Sequence, residues 1–487
     1  MPTPVIAIAD VGKTNKKLFL FDRQYQIVWE RTEQFSETVD DDGEACEDLQ
    51  RLSQWLLSAV REVLTLPEYE VQALNFSTYG ASLVYLDAEG RTVGNLYNYL
   101  KPYPDWIRQQ FYDRYGAPDV LSVQTASPAL NSLNSGLMLY RIKYDKPRLF
   151  RRIWYALHLP QYMSYLITRQ MLSDLTSIGC HTMLWDFEKH RYHDWVVSEG
   201  FDKLMGSLFP ADKAMKAFMV GGDTADGQPR DLRVGVGLHD SSAALIPYLA
   251  SFGESSDGAA ASPFVLISTG TWCISMNPFT SQPLTAEELQ YDCLCFLTYK
   301  GQRVKAARLF AGFEHEQQTK RLADHFGVAV DYYKQVRYNA SLIQQLQQTT
   351  VPLQPVEEGL IPAAVLASLA GSPFGDRDLT QFDDYETAYH QFMLDLMGGQ
   401  LISTALVLPP EGSASAEDAV TRIFVDGGFS KNPIYMNLLA AAFPDKEVWA
   451  ASVAQATALG AALSFHDQWN PLPVPPNLIT LTRYTAS

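Results

Sequence analysis

The chain has 487 residues, 47% of them hydrophobic and 12% aromatic. That is too apolar for a solvated coil and long enough for two or three domains with their own cores. Its 38 basic and 55 acidic residues leave a formal net charge of −17, which argues against a broad polyanion-binding surface and so against nucleic acid, but leaves room for a small anion held by local donors.

Five cysteines are scattered along the chain, and only Cys293 and Cys295 lie close, as C-x-C. Paired metal-ligand spacing is therefore absent, and a reducing, cytoplasmic setting is expected. The opening MPTPVIAIADVG carries no basic start of a secretory leader. The uncharged stretch from Gly258 to Ala286 is broken by Pro263, Gly270, Pro278 and Pro283. It reads as a buried strand with its loops, and no membrane span is expected.

Val5 to Ala9 (VIAIA) predicts a short buried strand. Turn formers from Asp10 to Asn15 interrupt it, and Leu18 to Phe21 (LFLF) resumes, so the segment reads as a hairpin. Asp48 to Leu66 predicts an amphipathic helix with Leu52, Leu56, Ala59, Val60 and Val63 on one stripe. Val71 to Phe76 is the next strand, and the alternation places the fold in the α/β class.

Val234 to Asp240 (VGVGLHD) ends a later strand, and Ser241 to Ala250 looks helical. Gly253 to Ser262 and Pro409 to Glu417 read as flexible surface loops. A second start then appears. Phe264 to Ile267, Ser268-Thr269-Gly270-Thr271 and Trp272 to Met276 repeat the layout of apolar run, Gly/Thr turn and apolar run. Gly12 and Gly270 are 258 residues apart, about half the chain, which suggests a distant duplication and two facing lobes, residues 1–245 and 246–487. Arg422 to Val425 predicts a strand, and Asn432-Pro433 an N-cap followed by a helix over Ile434 to Phe443.

Four segments could carry chemistry. In the first turn, Gly12 lets backbone N–H groups approach phosphate oxygens, Thr14 adds a hydroxyl, and Lys13 and Lys17 add charge. Asp10 at the strand end could hold a hydrated magnesium ion. The alternative is an ordinary hairpin with solvated lysines, and the G-x-x-x-x-G-K-[ST] loop is absent. In the second turn, Thr269, Gly270 and Thr271 form another donor cluster, or a polar β-turn. Asp426-Gly427-Gly428 followed by Asn432 at a helix start could lie against a flat ring or a phosphate, or be a tight strand–helix link. In Gly237-Leu238-His239-Asp240, an aspartate at a strand end opening a helix could take a proton from an attacking hydroxyl, or simply cap that helix.

In this order the segments resemble the FGGY carbohydrate kinases, of the actin, hexokinase and heat-shock chaperone ATPase superfamily. Asp10 to Asp22 (DVGKTNKKLFLFD) is similar to that family's first phosphate motif, Ile267 to Met276 to its second, and Asp426 to Asn432 to its adenosine motif. Ala454 to Ala462 resembles its closing helix. His239-Asp240-Ser241-Ser242-Ala243-Ala244 is closest to the rhamnulose-kinase segment S-H-D-T-A-S-A. Lys13 stands where the family usually has Thr, Gln455 where Glu is common, and Gly136 where Lys is usual.

The resemblance implies two ribonuclease H-like lobes with a ligand cleft between them. It implies phosphoryl transfer from MgATP, so ATP and Mg2+ are the expected cosubstrate and metal. Asp240 would be the general base; Gly12, Lys13, Thr14, Lys17, Thr269, Gly270 and Thr271 would line the phosphates; Gly427, Gly428 and Asn432 would lie beside adenosine; Gly80, Ala81, His239 and Asp240 would line the sugar pocket; and Asp10 would orient the metal. Tyr79, Tyr103 and Trp106 are candidate aromatic lining, and Asp174 to Trp185 could add hydroxyl contacts. The expected acceptor is a ketose such as L-rhamnulose or L-fuculose, with xylulose or ribulose as the alternative. A non-catalytic nucleotide- and sugar-binding regulator on the same fold is the rival class. A second copy of the chain, as a homodimer, is a further candidate partner.

Overall fold

The computed structural model describes residues 1–217, 231–253, 263–280, 282–349, 369, 371–409 and 419–485. The loops expected at Gly253 to Ser262 and Pro409 to Glu417 fall, except for their first residues, outside the described residues.

The apolar run Val5 to Ala9 becomes the middle of strand β1 (Thr3–Val11), which turns directly into β2 (Asn15–Phe21) and β3 (Ile27–Gln34). Helix α1 (Leu49–Thr65) begins where Asp48 accepts a hydrogen bond from the Arg51 N–H, as an N-cap should. Strand β4 (Tyr69–Thr78) follows, then an insertion carrying α2 (Leu159–Thr168), and finally β5 (Arg233–Val234), β6 (Leu238–His239) and helix α3 (Asp240–Tyr248). β1 is central and alternates between two cores. Val5, Ala7, Ala9 and Val11 pack with α1 and α2, while Ile6 and Ile8 face the opposite side. A strand buried on both faces must be apolar at every position, so the run shows no polar alternation.

The second lobe is built from β7 (Phe264–Thr269), β8 (Cys273–Asn277), β9 (Cys293–Leu297), β10 (Arg303–Leu309), α4 (Ala311–Phe326), α5 (Tyr385–Ala405), β11 (Arg422–Gly427), α6 (Pro433–Ala442), β12 (Glu447–Ser452), α7 (Ala456–Leu463) and β13 (Thr480–Tyr484). The duplication read from the two glycine turns is present in the topology. In the first sheet, β3, β2 and β1 are antiparallel neighbours, and β4 and β5 continue in parallel. In the second, β10, β8 and β7 are antiparallel neighbours, and β11 and β12 continue in parallel. Each glycine turn therefore closes the equivalent hairpin of its own sheet.

Two helices join the lobes. From the second half of the chain, α7 places Ala458, Leu459, Ala461 and Ala462 against Ile6, Ile8 and Phe19 of the first sheet. From the first half, α3 sends Leu245 and Tyr248 into the core made by Phe264, Leu266 and Phe424 of the second. The helices meet at Gly460, where a Cβ would lie 1.8 Å from the Ala243 carbonyl oxygen. Backbone cannot yield as a flexible side chain would. Gly460→Ala is therefore expected to lower stability by about 1–3 kcal/mol, read as a lower urea midpoint, and an unchanged midpoint would reject this crossing. The lobes also touch at the edge strand β9, where the Cys295 N–H donates to the Ala126 carbonyl (2.9 Å) and the Ser242 hydroxyl to the Leu297 carbonyl (2.9 Å). No helix among the described residues is long and apolar enough to cross a membrane.

Candidate active site

The expected base lies at the carboxyl end of the first sheet. Between β5 and β6 the chain makes a glycine-rich bend. Gly237 has φ +84°, and a Cβ on it would press within 2.6 Å of the Pro160 carbonyl oxygen, so only glycine fits there. The bend delivers His239 to the end of β6 and Asp240 to the first position of α3. The cap of this helix is His239, not Asp240, so the capping alternative for the aspartate does not describe the structure.

Asp240 Oδ1 accepts the Ser241 N–H (2.7 Å) and faces His239 Nε2 at 3.2 Å. About a third of its side chain (35%) is exposed, yet the surrounding protein desolvates the carboxyl and lifts its pKa to about 6. Burial pushes His239 down to about 4, so its ring is neutral at pH 7. The Ser242 hydroxyl donates to the Leu297 carbonyl (2.9 Å), and its oxygen lies 3.3 Å from His239 Nδ1. At pH 7 the carboxylate facing Nε2 favours the tautomer in which Nε2–H donates to Asp240 Oδ1.

Gly80 lies under this ring, with Ala81 next in the chain. A Cβ on Gly80 would sit 2.7 Å from His239 Nε2, and Ala81 takes φ +59°, a conformation an alanine rarely adopts. From the segment Asp174 to Trp185, Thr176 Oγ1 accepts the His239 N–H (3.0 Å). That hydroxyl positions the histidine rather than a ligand.

The first hairpin brings its groups to the same end. Asp10 pairs across the sheet with Lys17 on one side and Ser77 on the other. Burial raises its carboxyl to about 6, against the Thr457 hydrogen bond (2.8 Å), and the charge of Asp240 raises it further. Gly12 and Thr14 form the tip, Thr14 being exposed. The Lys17 ammonium reaches the second lobe, donating to Gln455 Oε1 (3.3 Å). Lys13 points elsewhere, toward Glu37 at 3.0 Å. The residue that sequence reasoning missed is Lys16. It is buried, ion-paired with buried Glu47, and donates to the carbonyls of Gly12 and Lys13 (3.0 Å each). Strand alternation could have found it, because Lys16 shares its face with the core residues Leu18 and Leu20. Glu47 left no sequence signal.

The second turn is tied to the glycine loop. The Thr269 hydroxyl donates to the Asp426 carbonyl and accepts the Phe429 N–H (3.0 Å), so it braces two segments. Gly270 and Thr271 are exposed at the tip. Gly427 has φ +89°, and a Cβ there would lie 1.9 Å from the Thr269 carbonyl oxygen, whereas one on Gly428 would meet open space. Asn432 caps α6 through Oδ1 and donates through Nδ2 to the Tyr389 hydroxyl (2.8 Å). Of the aromatic candidates, Tyr79 is buried beside Gly80, Trp106 is 54% exposed on its helix, and the Tyr103 hydroxyl is spent on the Leu137 carbonyl.

Two other features lie apart from these groups. A groove of about 850 Å³ opens at the opposite ends of β1 and β4, lined by Pro2, Tyr69, Arg233 and Trp469. The carboxylates of Asp40, Asp41 and Asp42 lie close enough together to share an ion, but Lys101, Arg141 and Lys146 already pair with them.

Comparison with known proteins agrees with this architecture. The model of the FGGY family of carbohydrate kinases, N-terminal domain, matches residues 5–246. That of the carbohydrate kinase FGGY, C-terminal domain, matches residues 261–365 and 370–472. No curated protein sequence matches the chain. Among solved structures it is similar to a carbohydrate kinase from Novosphingobium aromaticivorans (TM-score 0.76, 22% identity, covering 100% of this chain and 95% of that one). It is also similar to a ligand-bound xylulose kinase from Lactobacillus acidophilus (0.74, 14%, 99% and 94%) and a gluconate kinase from the same organism (0.72, 15%, 100% and 94%). At these identities the structural likeness speaks for the fold, and the two family models, which together span most of the chain, speak for the family. The chain belongs to the FGGY family of carbohydrate kinases.

Proposed function

We propose that the protein transfers the terminal phosphoryl group of ATP to a hydroxyl of a ketose of the L-rhamnulose or L-fuculose kind, with Asp240 as the general base. The observation that carries this reading is the pair at the end of β6: an aspartate lifted to about 6 and partly exposed, beside a neutral imidazole. Asp240 takes the proton of the acceptor hydroxyl as its oxygen bonds to phosphorus and the bond to the departing ADP oxygen breaks. The neutral His239 ring beside the base orients a second hydroxyl of the sugar. The exposed Thr14 and Thr271 at the two turn tips offer hydroxyls to the phosphates, the Gly12 and Gly270 N–H groups being bonded within their turns, and Lys17 adds charge. Gly427 and Gly428 leave a flat surface for adenosine, with the Asn432-capped helix behind it. In this reading the lobes divide at residues 1–245 and 246–487, the cut falling within α3.

The donor set fits a magnesium ion. Asp10 is a carboxylate at a strand end, lifted to about 6 by burial first and by the charge of Asp240 after it, and hard divalent cations prefer such oxygens. Asp10 would hold the ion through water, and the ion would neutralise phosphate charge.

The reading is tested by ADP release across ketoses, aldoses and polyols. Stimulation by a 6-deoxyketose above all other acceptors is the expected result. ATP binding without stimulation by any acceptor rejects the kinase role in favour of a regulator, and preference for xylulose or ribulose rejects the assigned sugar. The pH profile is a second test. A base with a pKa of about 6 is lost as pH falls, so kcat/KM should be level above pH 7 and decline below about pH 6. Asp10 titrates in the same range, so the acid limb belongs to the coupled pair. A limb at pH 4, as for a solvated carboxyl, would count against Asp240.

A further inference from the structure

Lys13 sits in the turn read as phosphate-binding, yet its side chain leaves the turn on the other side. Its ammonium is 3.0 Å from Glu37 Oε1 and lies 5.8 Å and 5.6 Å from the ring centres of Tyr79 and Tyr99. The two rings meet edge to face at 6.0 Å. Tyr79 is anchored, because its hydroxyl donates to Glu47, itself paired with buried Lys16. Asn98 Nδ2 reaches Glu37 at 3.4 Å from the opposite side. The cation is therefore held by a carboxylate and two ring faces, while Lys16 has taken the hairpin carbonyls beneath it.

This cluster is continuous with the base. Tyr79 leads directly into Gly80, on which the His239 ring rests. Tyr99 lies near enough to both carboxylates that, after burial, the charges of Asp240 and Glu37 hold its hydroxyl above the usual range. From Asp240 through His239, Gly80 and Tyr79 to Lys13 and Glu37, one wall runs along the first lobe.

We infer that Lys13 is an acceptor-binding, specificity-determining residue, acting with Glu37 and Tyr99 on the hydroxyls of the sugar rather than on the phosphates of ATP. An ammonium donates to one hydroxyl oxygen while the carboxylate beside it accepts from the neighbouring hydroxyl, so the pair reads adjacent hydroxyls. The Tyr99 ring supplies the apolar face that the C–H side of a sugar requires. The partial exposure of both groups, 28% for Lys13 and 45% for Glu37, leaves them reachable by a ligand.

This inference rests on the kinase reading, and the experiment separates the two. Lys13→Met keeps the length of the side chain and removes its charge; Glu37→Gln removes the other partner. For each variant the KM of the best acceptor and of MgATP are measured, with the affinity for ADP determined without acceptor. The expected result is an acceptor KM raised about 10- to 100-fold, as for a lost hydrogen bond to a charged group, with KM for MgATP and ADP affinity within about twofold. A loss of nucleotide affinity with an unchanged acceptor KM assigns Lys13 to the phosphates and overturns the inference, as does a variant unchanged in both. Melting curves identify a variant that fails to fold, in which case Lys13→Arg, which keeps the charge, is expected to hold the acceptor KM within threefold, and a larger rise overturns the inference. A native protein that phosphorylates no acceptor overturns the kinase reading, and this inference falls with it.

Discussion

Asp240→Asn is expected to lower kcat by about 10²- to 10⁴-fold while leaving ADP affinity within about twofold. Asparagine preserves the shape of the side chain and an oxygen for the Ser241 N–H (2.7 Å), so the start of α3 should not move. What it removes is a site for the proton of the attacking hydroxyl. His239 cannot substitute, because its desolvated ring, at about 4, is a poor proton acceptor at neutral pH. Nucleotide binding should survive, since the phosphate turns and the glycine loop belong to other segments. The measurement is coupled ADP release alongside direct nucleotide titration, and turnover above a tenth of the native rate would remove Asp240 from its role.

The second large effect is expected away from the chemistry. Glu47→Gln leaves the Lys16 ammonium buried, 1% exposed, without its counter-charge. Breaking one side of a buried ion pair typically costs about 3–5 kcal/mol. Because Lys16 also holds the Gly12 and Lys13 carbonyls, nucleotide affinity should weaken together with stability. Urea unfolding and ADP titration on the same variant read both. Replacing both partners, as Lys16→Met with Glu47→Leu, should recover much of the stability because no charge is left buried. A single variant within about 1 kcal/mol of the native protein would falsify the account of the pair as the support under the turn.

The carbonyls that Lys16 holds also explain why the first turn differs from its sequence expectation. Three lysines lie close together in DVGKTNKK, and from the sequence Lys13 and Lys17 go to the phosphates while Lys16 has no role. In the folded chain they separate completely: Lys13 toward Glu37, Lys16 into the core, and Lys17 to Gln455 of the second half of the chain. Thr269 and Asn432 show the same effect. Each was read as a ligand group from its motif, and each spends its hydrogen bonds on neighbouring backbone or a tyrosine hydroxyl. A polar side chain near a site is consumed by whichever partner folding brings first, and that partner is usually distant in sequence.

Local features were legible because they depend on neighbours in the chain. The double-faced apolar runs of β1 and β7 and the Asp48 and Asn432 caps need only a few adjacent residues to be read. Together with the repeat of the glycine turn they determined the α/β class, the two lobes and the family. Only the tertiary structure decided which helix crosses to which sheet, which of three adjacent lysines is buried, and how far Asp240 and Asp10 are lifted toward neutrality. These depend on groups far apart in the chain, Thr457 on Asp10 and Leu297 on Ser242 among them, and on the desolvation that exists only in the folded protein.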